Sequence, residues 1–511
     1  MGLASARSVA LTGMDGHIVE IEAFTGQGLP RTILVGLPDT ALYESRDRCR
    51  AAVGSSGLSW PDRLLTINLL PATLPKAGSH YDIGIVAAIL GACDLVPHRL
   101  LEDTILLGEL GLDGRVRAVR GVLPCVMAAQ LHGYAKVVVP ADQVHEARLV
   151  EGMAVTGVAT LAQLVDLLHG RPVPVPPPVA RDDSAGRSVL DLADVVGQAE
   201  AKWAIEVAAA GRHHVYLHGP PGVGKTMLAE RLPGLLPDLR PVEALEVAAV
   251  RSLAGVAQPA DLDLRPPYSD PHHSASVPSL VGGGARVARP GAISLAHRGV
   301  LFLDEAPEFH PRVLDALRTP LEQGGITLGR TQQQVRYPAR FQLVLAANPC
   351  PCGQSETPGG TCNCPPARIR RYRERVSGPV LDRIDIHQNL QPLKRSHAQA
   401  AALISAESTE VVAARVREAR ERQAWRLRGL GWLTNAEVPG PALRTALPLP
   451  EGLELLDDAV RRGSLSARGV DKCVRLAWTA ADLVGCDVPT AREIRLALAL
   501  RRGEAGLRAV A

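Results

Sequence analysis

Residues His214 to Thr226 read HVYLHGPPGVGKT. An alternating apolar run closes at Gly219, a Gly/Pro-rich loop follows, and Met227 to Leu232 (MLAERL) has helical spacing, so the local order is strand, loop, helix. Gly219, Gly224, Lys225 and Thr226 hold the fixed places of GxxxxGK(S/T), with Pro220, Pro221, Gly222 and Val223 between them. The chemistry needs these types: glycines let backbone amides curl round phosphate oxygens, and a helix N-terminus adds partial positive charge. Lys225 then reaches terminal phosphates and Thr226 offers a magnesium ligand. The bland alternative is a turn with a chance GKT, and the downstream text decides against it.

That text is GVLFLDEAPEF, Gly299 to Phe309. An apolar strand ending in two carboxylates, placed after a phosphate loop, is what nucleotide hydrolysis requires: Asp304 holds magnesium through water and Glu305 polarises the attacking water. The run ITLGRTQQQVRYPARFQLVLAANP then predicts a hairpin, Ile326 to Arg330 and Val335 to Phe341, followed by a strand, Gln342 to Ala347. That strand delivers Asn348, whose amide is placed to orient the lytic water or sense the terminal phosphate. ATP and magnesium are the expected cofactors.

A chain of 511 residues predicts two to four domains. Hydrophobic residues make up 46%, charged residues 21%, and the net charge is only +3, so overall charge gives no argument for nucleic acid and any basic surface is local. The N-terminus lacks an apolar core with a cleavage site, and no apolar run is long enough to span a bilayer. A cytoplasmic α/β protein with no membrane contact is the expectation.

Residues 1–170 alternate strand-like runs (Ile18 to Ala23, Thr32 to Val35, Leu64 to Leu69, Lys136 to Val139) with helix-like ones (Tyr43 to Val53, Asp82 to Leu90, Val122 to Leu131). The stretches LPKAGSHYDIGIVAAIL and LLGELGLDGRVRAVRGVLPCVMAA make this region resemble the Lon-protease-like fold of the ribosomal S5 type. In the active protease a serine and a lysine form the dyad. Here Asp82 and Leu123 fall at the aligned places, and Ser79 is only a displaced candidate nucleophile, so the domain is read as catalytically silent. A Pro-rich linker, residues 171–190, leads to the nucleotide-binding core at 191–395 and a C-terminal helical lid at 396–511.

Four of the nine cysteines crowd into CPCGQSETPGGTCNC. Cys350, Cys352, Cys362 and Cys364 match a closed zinc site in ligand number and type, while the CxC spacing leaves free thiols or a redox pair as alternatives. The adjacent histidines His272 and His273 in PHHSAS read as a structured loop, since neighbours in sequence seldom point the same way, with a catalytic or metal-ligating role as the alternative. The arginines of ARIRRYRERV read as solvated helix charge. Loop tips at Arg286 and Arg289, and at Arg330 and Arg336, are candidates for gripping a DNA backbone, with solvated loop charge as the alternative.

Together GPPGVGKT, PHHSAS, ISLAHRGVLFLDEAPEF, LAANPCPCG, SGPVLDRID and LSARGVDKCVRLAWTAADL make the chain resemble the magnesium-chelatase-like AAA+ ATPases of the ComM/YifB family, nearly end to end. The resemblance implies a homo-hexameric ring with nucleotide between subunits, Arg383 acting across the interface and Arg468 as a second sensor. It also implies an ATP-driven DNA helicase that migrates branched recombination intermediates in natural transformation, with recombination proteins as further partners. Metal insertion through partner subunits and protein remodelling are the competing expectations, because motor cores are shared among unrelated substrates.

Overall fold

The structure is a computed structural model that describes residues 2–36, 40–76, 78–176, 190–284, 288–329, 334–357, 359–392 and 406–504. The N-terminal region is built on a seven-stranded mixed sheet. Its strands are β1 (Gly2–Thr12), β2 (Asp15–Gly26), β3 (Arg31–Val35), β4 (Leu64–Leu70), β5 (Thr104–Leu106), β6 (Lys136–Pro140) and β7 (Ala154–Val158), ordered β3-β4-β2-β1-β5-β6-β7. Helices α1 (Thr40–Ser55) and α2 (Asp82–Ala92) contribute to its main apolar cluster, and every residue of α2 is buried. Helix α3 (Val122–Leu131) helps form a second cluster that reaches into the next region.

The central region has a five-stranded, all-parallel sheet. Strand β8 (Val215–His218) lies between β13 (Gln342–Ala347) and β14 (Ile386–Asn389); β10 (Val300–Leu303) and β9 (Tyr268–Ser269) continue the sheet beyond β13. β11 (Gly325–Gly329) and β12 (Gln334–Pro338) form a separate antiparallel hairpin. Helices α4 (Ala199–Gly211) and α5 (Lys225–Leu235) flank the phosphate loop, and α6 (Pro241–Ala254) carries Ala248 and Ala249 into the α3 cluster. Gly121 N and Leu123 N on the N-terminal side meet Ser252 of α6, so hydrogen bonds as well as packing join the two regions. Leu123, the residue at the aligned lysine place, is therefore a buried structural position.

Further along, α7 (Pro366–Arg373) follows the four-cysteine loop, and α8 (Thr409–Arg426), α9 (Ala467–Val484) and α10 (Ala491–Arg502) close the chain. One apolar cluster runs from α4, α5 and β8 into α8, α9 and α10, so the C-terminal helices share the core of the parallel sheet. A buried polar joint reinforces this: Lys472 Nζ on α9 donates to Asp385 Oδ1 at 2.6 Å, and Asp385 Oδ2 accepts from His214 N at 3.0 Å. Burial pushes the Asp385 carboxyl up, but the Lys472 ammonium and the histidines beside it outweigh burial and hold it well below the usual range. The mixed α/β class is as the sequence predicts. Between Phe309 and the hairpin stand two short helices, Pro311–Asp315 and Arg318–Gln323. Most of the expected linker, together with Arg286 and Arg330, lies outside the described residues. Among the described residues no helix is long and apolar enough to cross a membrane.

Candidate functional site

Parallel strands aim their carboxyl ends at one edge, where the connecting loops build crevices. β8, β10 and β13 lie side by side in parallel and end in the phosphate loop, in Asp304-Glu305 and in Asn348. Gly222 and Gly224 have φ of +77° and +96°, a backbone that favours glycine, and a Cβ on either would meet nothing within 4 Å. Gly219 is tighter: a Cβ there would lie 2.6 Å from Leu390 O. Lys225 Nζ donates to Gly219 O (2.6 Å), Pro220 O (2.9 Å) and Asn348 Oδ1 (3.0 Å). Thr226 Oγ1 donates to Asp304 Oδ2 at 2.8 Å. Burial pushes the Lys225 ammonium down from its ordinary value, and the Asp304 and Glu305 carboxylates oppose that shift. A glycine-rich loop before a helix, an ammonium, a hydroxyl and two carboxylates form the set of groups that suits a magnesium triphosphate.

Glu305 has φ of +49°, a left-handed conformation that costs a residue with a Cβ about 1–3 kcal/mol. The turn points its backbone N at Asp304 Oδ1, 2.8 Å away. Its side chain faces His273, whose Nδ1 is 3.8 Å from Glu305 Oε2. His273 also packs on His272, ring centroids 4.0 Å apart, and His272 Nδ1 is 2.8 Å from Ser274 Oγ. The PHHSAS loop is thus structured, as expected, but it also reaches the carboxylate of Glu305. No sequence signal marked this contact; it follows from the parallel pairing of β9 with β10, which brings the residues after β9 to the same edge.

Arg383 and Arg468 form a second group. Arg383 Nη1 donates to Pro379 O at 2.6 Å and its other terminal nitrogen pairs with Glu322. Arg468, exposed in the first turn of α9, reaches Asp382 Oδ2 at 3.6 Å. Among the described residues neither guanidinium contacts its own phosphate loop. Arg336 on β12 and Arg289 on a two-residue strand, Arg289–Pro290, are exposed.

Comparison with known proteins fits this arrangement. Residues 191–398 match the model for magnesium chelatase, subunit ChlI; residues 21–143 match that for subunit ChlI of Mg-chelatase; and residues 406–501 match the ChlI C-terminal model. An uncharacterized protein of Mycobacterium tuberculosis is 54% identical over 504 residues, covering 98% of this chain and 99% of its own. Uncharacterized protein YifB of Escherichia coli is 40% identical over 508 residues (98% and 97%), and competence protein ComM of Haemophilus influenzae 38% over 492 (95% and 94%). The chain belongs to the ComM/YifB family of magnesium-chelatase-like AAA+ proteins.

This member of the ComM/YifB family carries four thiols beside its phosphate loop. The Sγ atoms of Cys350, Cys352, Cys362 and Cys364 all lie within 4.8 Å of one another. Cys350–Cys352, Cys350–Cys362 and Cys352–Cys362 are 3.3, 3.8 and 3.6 Å apart. A disulfide needs about 2.05 Å, whereas thiolates at about 2.3 Å from a tetrahedral zinc stand roughly 3.8 Å apart. Burial pushes the Cys350 thiol up, but contacts with Ser355 and the Cys352 thiol outweigh it and bring it down to about 6. The cluster abuts the nucleotide loop: a Cβ on Gly353 would come 2.5 Å from Pro221 Cγ.

The N-terminal candidates are differently engaged. Asp82 is fully buried and accepts from Arg48 Nε (2.9 Å), Leu110 N (3.1 Å) and the Ser45 hydroxyl. Ser79 donates to Glu109, while the Lys76 ammonium is spent on the carbonyls of Gly36, Leu69 and Pro71.

Proposed function

We propose that this protein is an ATP hydrolase whose turnover drives movement on DNA, as a hexameric branch-migration helicase acting on recombination intermediates in natural transformation. The observation that carries the hydrolase reading is the convergence of Lys225, Thr226, Asp304, Glu305 and Asn348 on one sheet edge. In this reading the loop from Gly219 to Thr226 cradles the phosphates and Lys225 neutralises the terminal ones. Thr226 and Asp304 hold magnesium, Glu305 polarises water, and Asn348 orients the terminal phosphate. Arg383 serves the site of a neighbouring copy and Arg468 acts as a second sensor. The four cysteines fit structural zinc, which would staple the loop without taking part in turnover.

The DNA assignment is supported by the near full-length similarity to the competence protein ComM and by the exposed Arg289 and Arg336, with Arg286 and Arg330 beside them in sequence. Forked or single-stranded DNA is expected to raise ATP hydrolysis severalfold, and ATP to drive migration of a three-strand junction. An ATPase rate indifferent to DNA, with no junction movement, would sink the motor reading. It would instead favour a chelatase-type ATPase, which the matching family models support.

His273 completes the proposed site as a positioning residue for Glu305. Replacing it by Ala loosens a carboxylate already held in a strained turn, and kcat is expected to fall about tenfold with KM for ATP unchanged, a part of the roughly 10²–10⁴-fold that general-base catalysis contributes. His273→Gln should recover part of the loss. Steady-state kinetics showing both parameters unmoved in His273→Ala would remove this role.

A further inference from the structure

The arginines of ARIRRYRERV are not evenly spent. Between Pro365 and Val376 stand five Arg and one Glu, a local charge of +4 in a chain whose total is +3. Three of the five are paired: Arg370 with Glu374 (2.8 Å), Arg373 with Glu356 (2.7 Å) and Arg375 with Glu308 (3.1 Å). Arg368 and Arg371 are exposed and have no side-chain partner among the described residues. They sit three apart on α7, hence on one face, and with Arg375, Tyr372, Pro351 and Glu308 they line a cavity of about 510 Å³.

The helix is firmly mounted. Tyr372 is buried beneath it, and Arg373 Nε donates to Pro349 O at 3.1 Å. Its N-cap, Pro365, directly follows Cys364 of the thiol cluster, so the four-cysteine loop fixes where the helix begins. That same loop seats on Pro221 of the phosphate loop through Gly353. A contiguous path therefore runs from the nucleotide loop through the four-cysteine loop to two guanidiniums with no side-chain partner among the described residues.

We infer that the Arg368–Arg371 face of α7 is a second contact for the phosphate backbone of DNA, separate from the loop tips at 282–289 and 329–336. A guanidinium presents a planar fork that matches phosphate oxygens in pairs. Contacts to phosphate oxygens carry no sequence information, so the contact is independent of sequence. This rests on the DNA reading above, and it gives the cysteine staple a purpose: to hold a DNA-gripping helix in register with the nucleotide loop.

The test compares the full-length wild type with R368Q/R371Q and R368K/R371K, using a fluorescent single strand titrated across a salt series. Removing two phosphate contacts is expected to reduce the slope of log affinity against log salt by about 1.4, roughly 0.7 for each contact on a single strand. Affinity should fall about tenfold or more at 0.1 M salt. The lysine pair, which keeps the charge, should retain most of the binding, and ATPase without DNA should stay at the wild-type rate in both. Identical slopes for wild type and R368Q/R371Q would overturn the inference while leaving the motor reading intact. Absence of DNA binding by the wild type would overturn both. Loss of assembly in R368Q/R371Q with an unchanged slope would also overturn it, and would assign the face to a second copy of the chain.

Discussion

Lys225→Ala is expected to lower ATP turnover about a thousandfold or more, the upper range for removing one preorganised donor from a reacting oxyanion. The expectation follows from where the ammonium stands. Its three hydrogen bonds go to two carbonyls of the loop and to Asn348, so it spans the phosphate loop and the end of β13. Asp304 and Glu305 favour its charge against the burial that disfavours it, which keeps a cation where triphosphate charge would gather. Alanine leaves those carbonyls unpaired and removes the only cation that the described contacts place inside the loop. Lys225→Arg should not rescue, because a longer planar group cannot occupy a place enclosed by Gly219 O and Pro220 O. Phosphate release and equilibrium binding of a nucleotide analogue would be measured together, with the melting temperature as the control for folding. Turnover at the wild-type rate in Lys225→Ala would remove the hydrolase assignment.

The phosphate loop, the acidic strand end and the Asn348 strand were legible in the sequence because each is a contiguous strand followed by its functional residue, within a dozen positions. β13 runs over the residues expected, Gln342 to Ala347, since a buried parallel strand is a short unbroken apolar run. β1 was not anticipated. Its inward positions include Ala4, Ala6, Ser8 and Ala10, small side chains that let α2 and α3 lie close to the sheet but give almost no hydrophobic signal. Contacts between distant residues were also invisible. His273 meets Glu305 only because β9 lies beside β10, and Lys472 finds Asp385 across 87 positions. The lid boundary drawn at 396 follows composition. Across it, Leu192 N donates to Thr409 Oγ1 at 2.7 Å and the two segments share one core, a joint that composition does not show. Arg368 and Arg371 looked like any charged helix until the partners of the other three arginines could be counted.

Arg383→Ala is expected to lower turnover about a thousandfold, the lower range for an arginine supplied to a transferring phosphoryl group, while nucleotide binding and assembly persist. Within its own chain the guanidinium pairs with Glu322 and Pro379 O, and Lys472 Nζ holds its carbonyl at 2.8 Å. The backbone is thus anchored to α9 while the side chain is tied by one ion pair to a half-exposed carboxylate. A neighbour's triphosphate carries more negative charge than one carboxylate and would outcompete Glu322 for the guanidinium. Two measurements separate action across an interface from a structural role. Glu322→Gln breaks the same ion pair and should leave turnover near the wild-type rate, whereas a purely structural Arg383 would make it as damaging as Arg383→Ala. Mixing the inactive Arg383→Ala and Glu305→Gln proteins in equal amounts should restore roughly a quarter of the wild-type rate. In a head-to-tail ring assembled at random, half the sites keep Glu305 and half of those face an intact Arg383. Mixed rings that form and remain inactive would place Arg383 outside the neighbour's reaction.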